Sequence, residues 1–281
     1  MNSLLDNRNF QLGAAEALGT YILVLFGTGS VAAAVFTGAQ IGLWQVAVVW
    51  GFGVSLAIYT TGSVSGAHLN PAVSLAFAIL RRDSFPVSRM LLYWVSQMIG
   101  GVLGGLTVLI TFGKFISKFE TDNSIVRGAE GSERSAMPFG EYFPNPVIFG
   151  TDAIAHDLVS PIMAFGVEAF GTAVLAYVIF SLVDGRNHAL SNKSLAPFFI
   201  GFTVAALISL FAPITQAGWN PARDFGPRII AAVAGWEAIA IPGPRSGFWV
   251  YIAGPLVGAP IGAFIHDKII SRGQIDDTGD S

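Results

Sequence analysis

The tripeptide Asn-Pro-Ala occurs at Asn70-Pro71-Ala72 and again at Asn220-Pro221-Ala222, 150 residues later, each time between long apolar stretches. Asparagine is a favoured helix N-cap and proline fits the first helical position, so each copy reads as a helix start. A helix N-terminus carries roughly half a positive charge. The carboxamide of an asparagine cap can bond the helix backbone through its oxygen and still offer N–H to a passing oxygen atom. Two such ends facing each other repel cations, hydronium included, and suit water and neutral hydroxyl compounds. A water held by two asparagine donors has both lone pairs occupied. It cannot accept a proton from its neighbour, so a proton wire breaks there.

The residues ahead of each cap, Gly66-Ala67-His68 and Gln216-Ala217-Gly218, are expected to turn carbonyl oxygens toward the same path. Irregular backbone at membrane depth is tolerated where it lines a water-filled cavity. A path with acceptors on one wall and apolar side chains on the other matches glycerol and similar polyols, which carry hydroxyls on one side and C–H on the other. Arg223 lies just behind the second cap. An arginine at membrane depth costs about 2.5–3.5 kcal/mol on insertion scales, so it needs a reason. That reason is solute oxygens to donate to, or a carboxylate such as Asp224. Glu16 and Glu168 are acids within apolar stretches. Either alone could relay protons, but a duplicated acid is more simply an acceptor for loop N–H groups ahead of the caps. No grouping of His, Asp and Glu has metal-ligand spacing, and no nucleophile–base arrangement is legible. Neither a metal, a cofactor nor an enzymatic reaction is expected.

The elements that must position these residues are membrane helices. The chain is 53% hydrophobic and 12% charged, about half the charged fraction of an average globular chain. It has no cysteine, which excludes disulfides, and its net charge of −3 without a dense basic run excludes a nucleic-acid partner. Six stretches are long enough to span, near residues 12–36, 42–61, 89–112, 161–183, 195–211 and 247–270. Segments 70–80 and 220–233 are too short to cross and too apolar for a surface loop, and each fits a re-entrant half-helix. Residues 113–160 carry many charges and a turn-rich run, and read as one long aqueous connection, followed in time by a short polar tail at 271–281.

The halves repeat. Glu16-Ala17-Leu18-Gly19-Thr20 matches Glu168-Ala169-Phe170-Gly171-Thr172, and Gly100 and Gly104 match Gly258 and Gly262, at nearly the offset of the Asn-Pro-Ala copies. Three ordered matches indicate duplication, with a first repeat near 12–112 and a second near 161–270 in a single membrane domain. Three spans per half is an odd number, so the second half enters the membrane from the opposite side as an inverted repeat. Basic residues orient it. Arg8, Arg81, Arg82, Arg89, Arg186, Lys193, Lys268 and Arg272 fall on one side, against Arg245 in the short connections of the other. The positive-inside rule then predicts cytoplasmic termini and an extracellular long connection.

Residues 65–73, Ser-Gly-Ala-His-Leu-Asn-Pro-Ala-Val, and 220–227, Asn-Pro-Ala-Arg-Asp-Phe-Gly-Pro, resemble the signature segments of the major intrinsic proteins, the aquaporins and glycerol facilitators. The likeness covers nearly the whole chain. Asp224 directly after Arg223, the long third connection and its runs at 125–128 and 142–146 resemble the glycerol branch. The resemblance implies an all-α fold with six spans and two half-helices, and passive conduction of glycerol, related solutes and water. It implies a homotetramer in a plasma or bacterial inner membrane, lipid around it, and a pore in each protomer. It implies a central constriction at the Asn-Pro-Ala pair and an outer one at Trp50, Ile208, Ala217 and Arg223.

Two filter positions depart from the bacterial glycerol facilitators, which have a second aromatic where Ala217 stands and glycine where Ile208 stands. The set is similar to plant nodulin-type channels, which pass glycerol and some metalloid acids. Tyr251 stands where glycerol channels usually have proline. Rival expectations are therefore a strict water channel and a boric or silicic acid channel. An ion-coupled secondary transporter, which also uses inverted repeats and broken helices, is the rival from another class.

Overall fold

The computed structural model describes residues 6–273, so residues 274–281 of the polar tail lie outside the described residues. Caps and glycines set the helix ends. Helix α1 (Arg8–Thr37) starts where the Asn7 side chain accepts from the Asn9 N–H at 2.9 Å, and stops at Gly38, whose φ of 67° is left-handed. Helix α2 (Leu43–Ser65) stops in the same way at Gly66. The half-helix α3 (Pro71–Leu80) and helix α4 (Val87–Asp122) complete the first half. The second half holds α5 (Pro161–Val183), capped by Ser160, then α6 (Ala196–Thr215), the half-helix α7 (Pro221–Ala231) and α8 (Val250–Ile265). Among the described residues there is no strand.

Six helical segments, containing α1, α2, α4, α5, α6 and α8, are long and apolar enough to cross a membrane. Large apolar side chains such as Leu18, Ile110 and Ile162 face outward, as a lipid solvent requires. The sequence places the end of the third span near residue 112, yet α4 continues to Asp122. Hydropathy marks where the chain leaves lipid, whereas the helix persists through Lys114, Lys118 and Glu120, which favour it, and a Lys118–Asp122 pair at 2.8 Å one turn apart.

The long connection also differs from an aqueous loop. It contains short helices at Glu133–Ala136, Pro146–Phe149 and Ala153–Leu158, and residues 135–146 are buried. Asn145 explains part of this: its N–H donates to the Pro213 carbonyl at 3.1 Å and its side chain to Ala212 at 3.2 Å. Arg127 clamps the start of the connection, bonding Glu120 at 2.7 Å and lying over the Trp236 ring. On the opposite face of the bundle, Asp184 gathers Arg186, His266 and Ser271. Burial opposes its ionisation, but these donors hold its carboxyl well below the usual carboxylate range.

The repeat shows in the packing. α1 lies against α4, and α5 against α8, through glycines at equivalent positions. A Cβ on Gly100 would stand 2.2 Å from the Ala17 carbonyl oxygen, and one on its counterpart Gly258 2.0 Å from that of Ala169; one on Gly262 would stand 1.8 Å from that of Ala173. The halves interlock, because α7 of the second half packs on α4 of the first, and α3 packs on α8. Gly262→Ala is expected to force these backbones apart and lower stability by about 1–3 kcal/mol. Gly166→Ala, on a face with open space, is expected to be neutral or slightly stabilising. Thermal unfolding of the detergent-solubilised protein separates the two.

Candidate functional site

The two half-helices meet end to end. Asn70 caps α3 by accepting from the Ala72 N–H at 2.9 Å, and Asn220 caps α7 by accepting from Ala222 at 3.0 Å. Each amide then donates across the meeting point, Asn70 to the Trp219 carbonyl at 2.9 Å and Asn220 to the Leu69 carbonyl at 2.8 Å. A carboxamide has two N–H donors, so one on each asparagine remains for another partner. Pro71 and Pro221 occupy the first helical positions, where no N–H is needed, and Ala72 and Ala222 are fully buried behind them.

The segments entering the caps follow one backbone pattern. Gly66, Ala67 and Leu69 are left-handed, and so are Gln216, Ala217 and Trp219 at the equivalent places. A left-handed residue other than glycine costs about 1–2 kcal/mol, so something must hold this shape. Two carboxylates do so. Glu16 accepts from the His68 N–H at 3.0 Å and the Leu69 N–H at 2.8 Å. Glu168 accepts from the Gly218 N–H at 3.0 Å and the Trp219 N–H at 2.8 Å. The His68 ring stacks among Phe77, Phe85 and Tyr93, away from the meeting point.

Two cavities flank this region. The inner one, about 310 Å³, is lined by Asn70, Asn220, the 66–69 and 217–219 segments, and apolar residues including Val54 and Ile179. The outer one, about 250 Å³, opens under the long connection and is lined by Gln216, Met137 and Glu141 among others. Trp50, Ile208 and Arg223 line both cavities, so the two meet at these side chains. Ala217 lines the inner cavity alone. Trp50 is buried over Gly27, where a Cβ would fall 2.1 Å from the ring, and the Arg223 guanidinium carbon lies 4.1 Å from the ring centroid. That distance is a cation–π contact, and it orients the guanidinium.

Arg223 does not pair with Asp224, the neighbour that the sequence suggested. Adjacent helical residues point in different directions. Asp224 instead takes Arg228 one turn on, at 2.8 and 3.0 Å, with both side chains buried. The partner of Arg223 is Glu141, from the long connection. Asp224 and Arg228 hold Glu141 in place by its backbone: Asp224 accepts its N–H at 2.7 Å, and Arg228 donates to its carbonyl at 2.6 Å. Sequence reasoning missed Glu141 by counting it among the charges of an aqueous loop. The available signal was its setting, since Glu141 is the one charge in the otherwise uncharged run 137–146.

Three comparisons bear on this geometry. Residues 4–266 match the profile of the family described as Major intrinsic protein. The chain is 40% identical over 260 residues to the glycerol uptake facilitator protein of Escherichia coli K12, covering 92% of this chain and 87% of that one. It is also 40% identical to the glycerol uptake facilitator protein of Pseudomonas aeruginosa, covering 92% and 88%. The solved aquaglyceroporin from Plasmodium falciparum superposes with a TM-score of 0.78 at 25% identity, covering 94% of this chain and 98% of that one.

The carboxylate contacts make a specific demand. Glu168→Ala removes the acceptor of two buried backbone donors, each worth about 1–3 kcal/mol when left unsatisfied. We expect a stability loss of at least about 2 kcal/mol for Glu168→Ala and roughly half of it for Glu168→Gln, which keeps one acceptor oxygen. Denaturation midpoints of the purified protein check this ordering.

Proposed function

This chain belongs to the major intrinsic protein family, and on that premise we propose that it is a passive channel for glycerol, related small neutral solutes and water. Protons and ions are excluded. The observation that carries the reading is the reciprocal bonding of the two caps, Asn70 to the Trp219 carbonyl and Asn220 to the Leu69 carbonyl, inside a cavity that also reaches Trp50 and Arg223. In this reading a polyol meets Arg223 first, which donates to its oxygens while the Trp50 face and Ile208 take its C–H side. Ala217, smaller than an aromatic residue, leaves width beside them. The solute then passes the remaining asparagine donors, and the Gly66, Ala67, His68, Gln216, Ala217 and Gly218 carbonyls accept its hydroxyl hydrogens in turn. Glu16 and Glu168 are structural acceptors, with no part in proton coupling. The half-helix N-termini keep cations from the centre.

The basic-residue asymmetry supports cytoplasmic termini and an outer position for the long connection. The single channel domain then runs as two inverted repeats around that connection. The family relationship supports a homotetramer in the cell membrane, with a pore in each protomer and lipid against the apolar outer faces.

Stopped-flow light scattering on proteoliposomes, with an entrapped pH dye, tests the reading using water, glycerol, urea and boric acid. Glycerol is expected to equilibrate without proton leak. Uphill accumulation driven by a pH gradient contradicts the channel in favour of a coupled transporter. Boric acid passing faster than glycerol favours the metalloid reading. Ala217→Phe is expected to lower glycerol flux several-fold more than water flux, and an unchanged ratio removes Ala217 from the filter.

A further inference from the structure

The charges along the path are unevenly placed. Of the residues lining the two cavities, Arg223 and Lys193 are basic and Glu141 alone is acidic. Lys193 sits at the far mouth, where its ammonium donates to the Asp184 and Asn187 carbonyls at 2.7 and 2.9 Å. The centre holds two helix N-termini and the asparagine N–H groups, all of which attract negative charge. An anion drawn to Arg223 would therefore meet no opposing charge further in. Glu141 is 3% exposed and ion-paired to Arg223. Its position does not depend on the ion pair, because Asp224 and Arg228 fix its backbone. Gly140 makes the approach possible, since a Cβ there would stand 2.7 Å from the Arg228 guanidinium carbon.

We propose that Glu141 is a selectivity residue of the outer constriction, cancelling the charge of Arg223 and so excluding small anions. The inference rests on the channel reading above. The pair presents donor and acceptor side by side. A neutral polyol can use both, donating a hydroxyl hydrogen to Glu141 while accepting from Arg223. An anion can use only the guanidinium and is repelled by the carboxylate. Removing one unit charge from a partly enclosed site changes ion partition by at least about tenfold at these distances.

The test uses Glu141→Gln, Glu141→Ser and Glu141→Asp in proteoliposomes. Chloride entry is followed with an entrapped halide-sensitive dye, and glycerol flux in the same vesicles by light scattering. The chloride-to-glycerol ratio is expected to rise at least about tenfold for the two neutral variants and to stay near wild type for Glu141→Asp. An inserted neutral variant that conducts glycerol and stays tight to chloride overturns the proposal. So does an equal rise in Glu141→Asp, which would make the effect one of packing. Failure of both neutral variants to insert while Glu141→Asp inserts assigns Glu141 to folding, and also overturns it. A wild-type protein that passes no glycerol sinks the channel reading itself, so the two failures are distinguishable.

Discussion

Backbone hydrogen bonding at membrane depth is the constraint on which the rest depends. A helix interrupted in mid-membrane leaves N–H and C=O groups without partners, and lipid offers none. Here two interruptions are brought together so that each completes the other. The asparagine oxygens cap their own helices while their amides reach the carbonyl that precedes the opposite cap. Glu16 and Glu168 take the two N–H groups just ahead of each cap. In the proposed reading, what is left over is a row of carbonyls and a pair of amide donors along one path. On that reading the selectivity of the pore is the residue of this hydrogen-bond problem, with Arg223 added at one end.

Close helix packing makes the arrangement possible. The half-helices reach the centre because α1 and α4, and α5 and α8, approach at backbone distance through Gly100, Gly258 and Gly262. Gly27 clears the space into which Trp50 lies, and Trp50 in turn supports the Arg223 guanidinium. A chain from glycine to indole to guanidinium thus links bundle packing to the place where the two cavities meet.

Much of this was legible in the sequence because duplication makes it redundant. The Asn-Pro-Ala copies, the paired glutamates and the paired glycines each recur at nearly one offset, so each supported the other. The six spans and two half-helices followed from length and hydropathy. The long connection has no counterpart in the repeat, and there the reading ran short. Its charges suggested water, whereas residues 135–146 fold into the bundle. The contact between Glu141 and Arg223 joins residues far apart in sequence, which periodicity cannot reveal. Asp224 was only the alternative partner offered for Arg223, and it was offered on adjacency in sequence, which is not adjacency in space. On a helix its neighbour is Arg228.

The central claim is that solute passes where the two cavities meet. The chain has no cysteine, so a single introduced thiol can be labelled alone. Ile208 lines both cavities. In an Ile208→Cys variant that conducts glycerol, a water-soluble thiol reagent should abolish glycerol flux, and a reductant should restore it. Complete labelling of that cysteine with glycerol flux unchanged would place the path elsewhere and contradict the account.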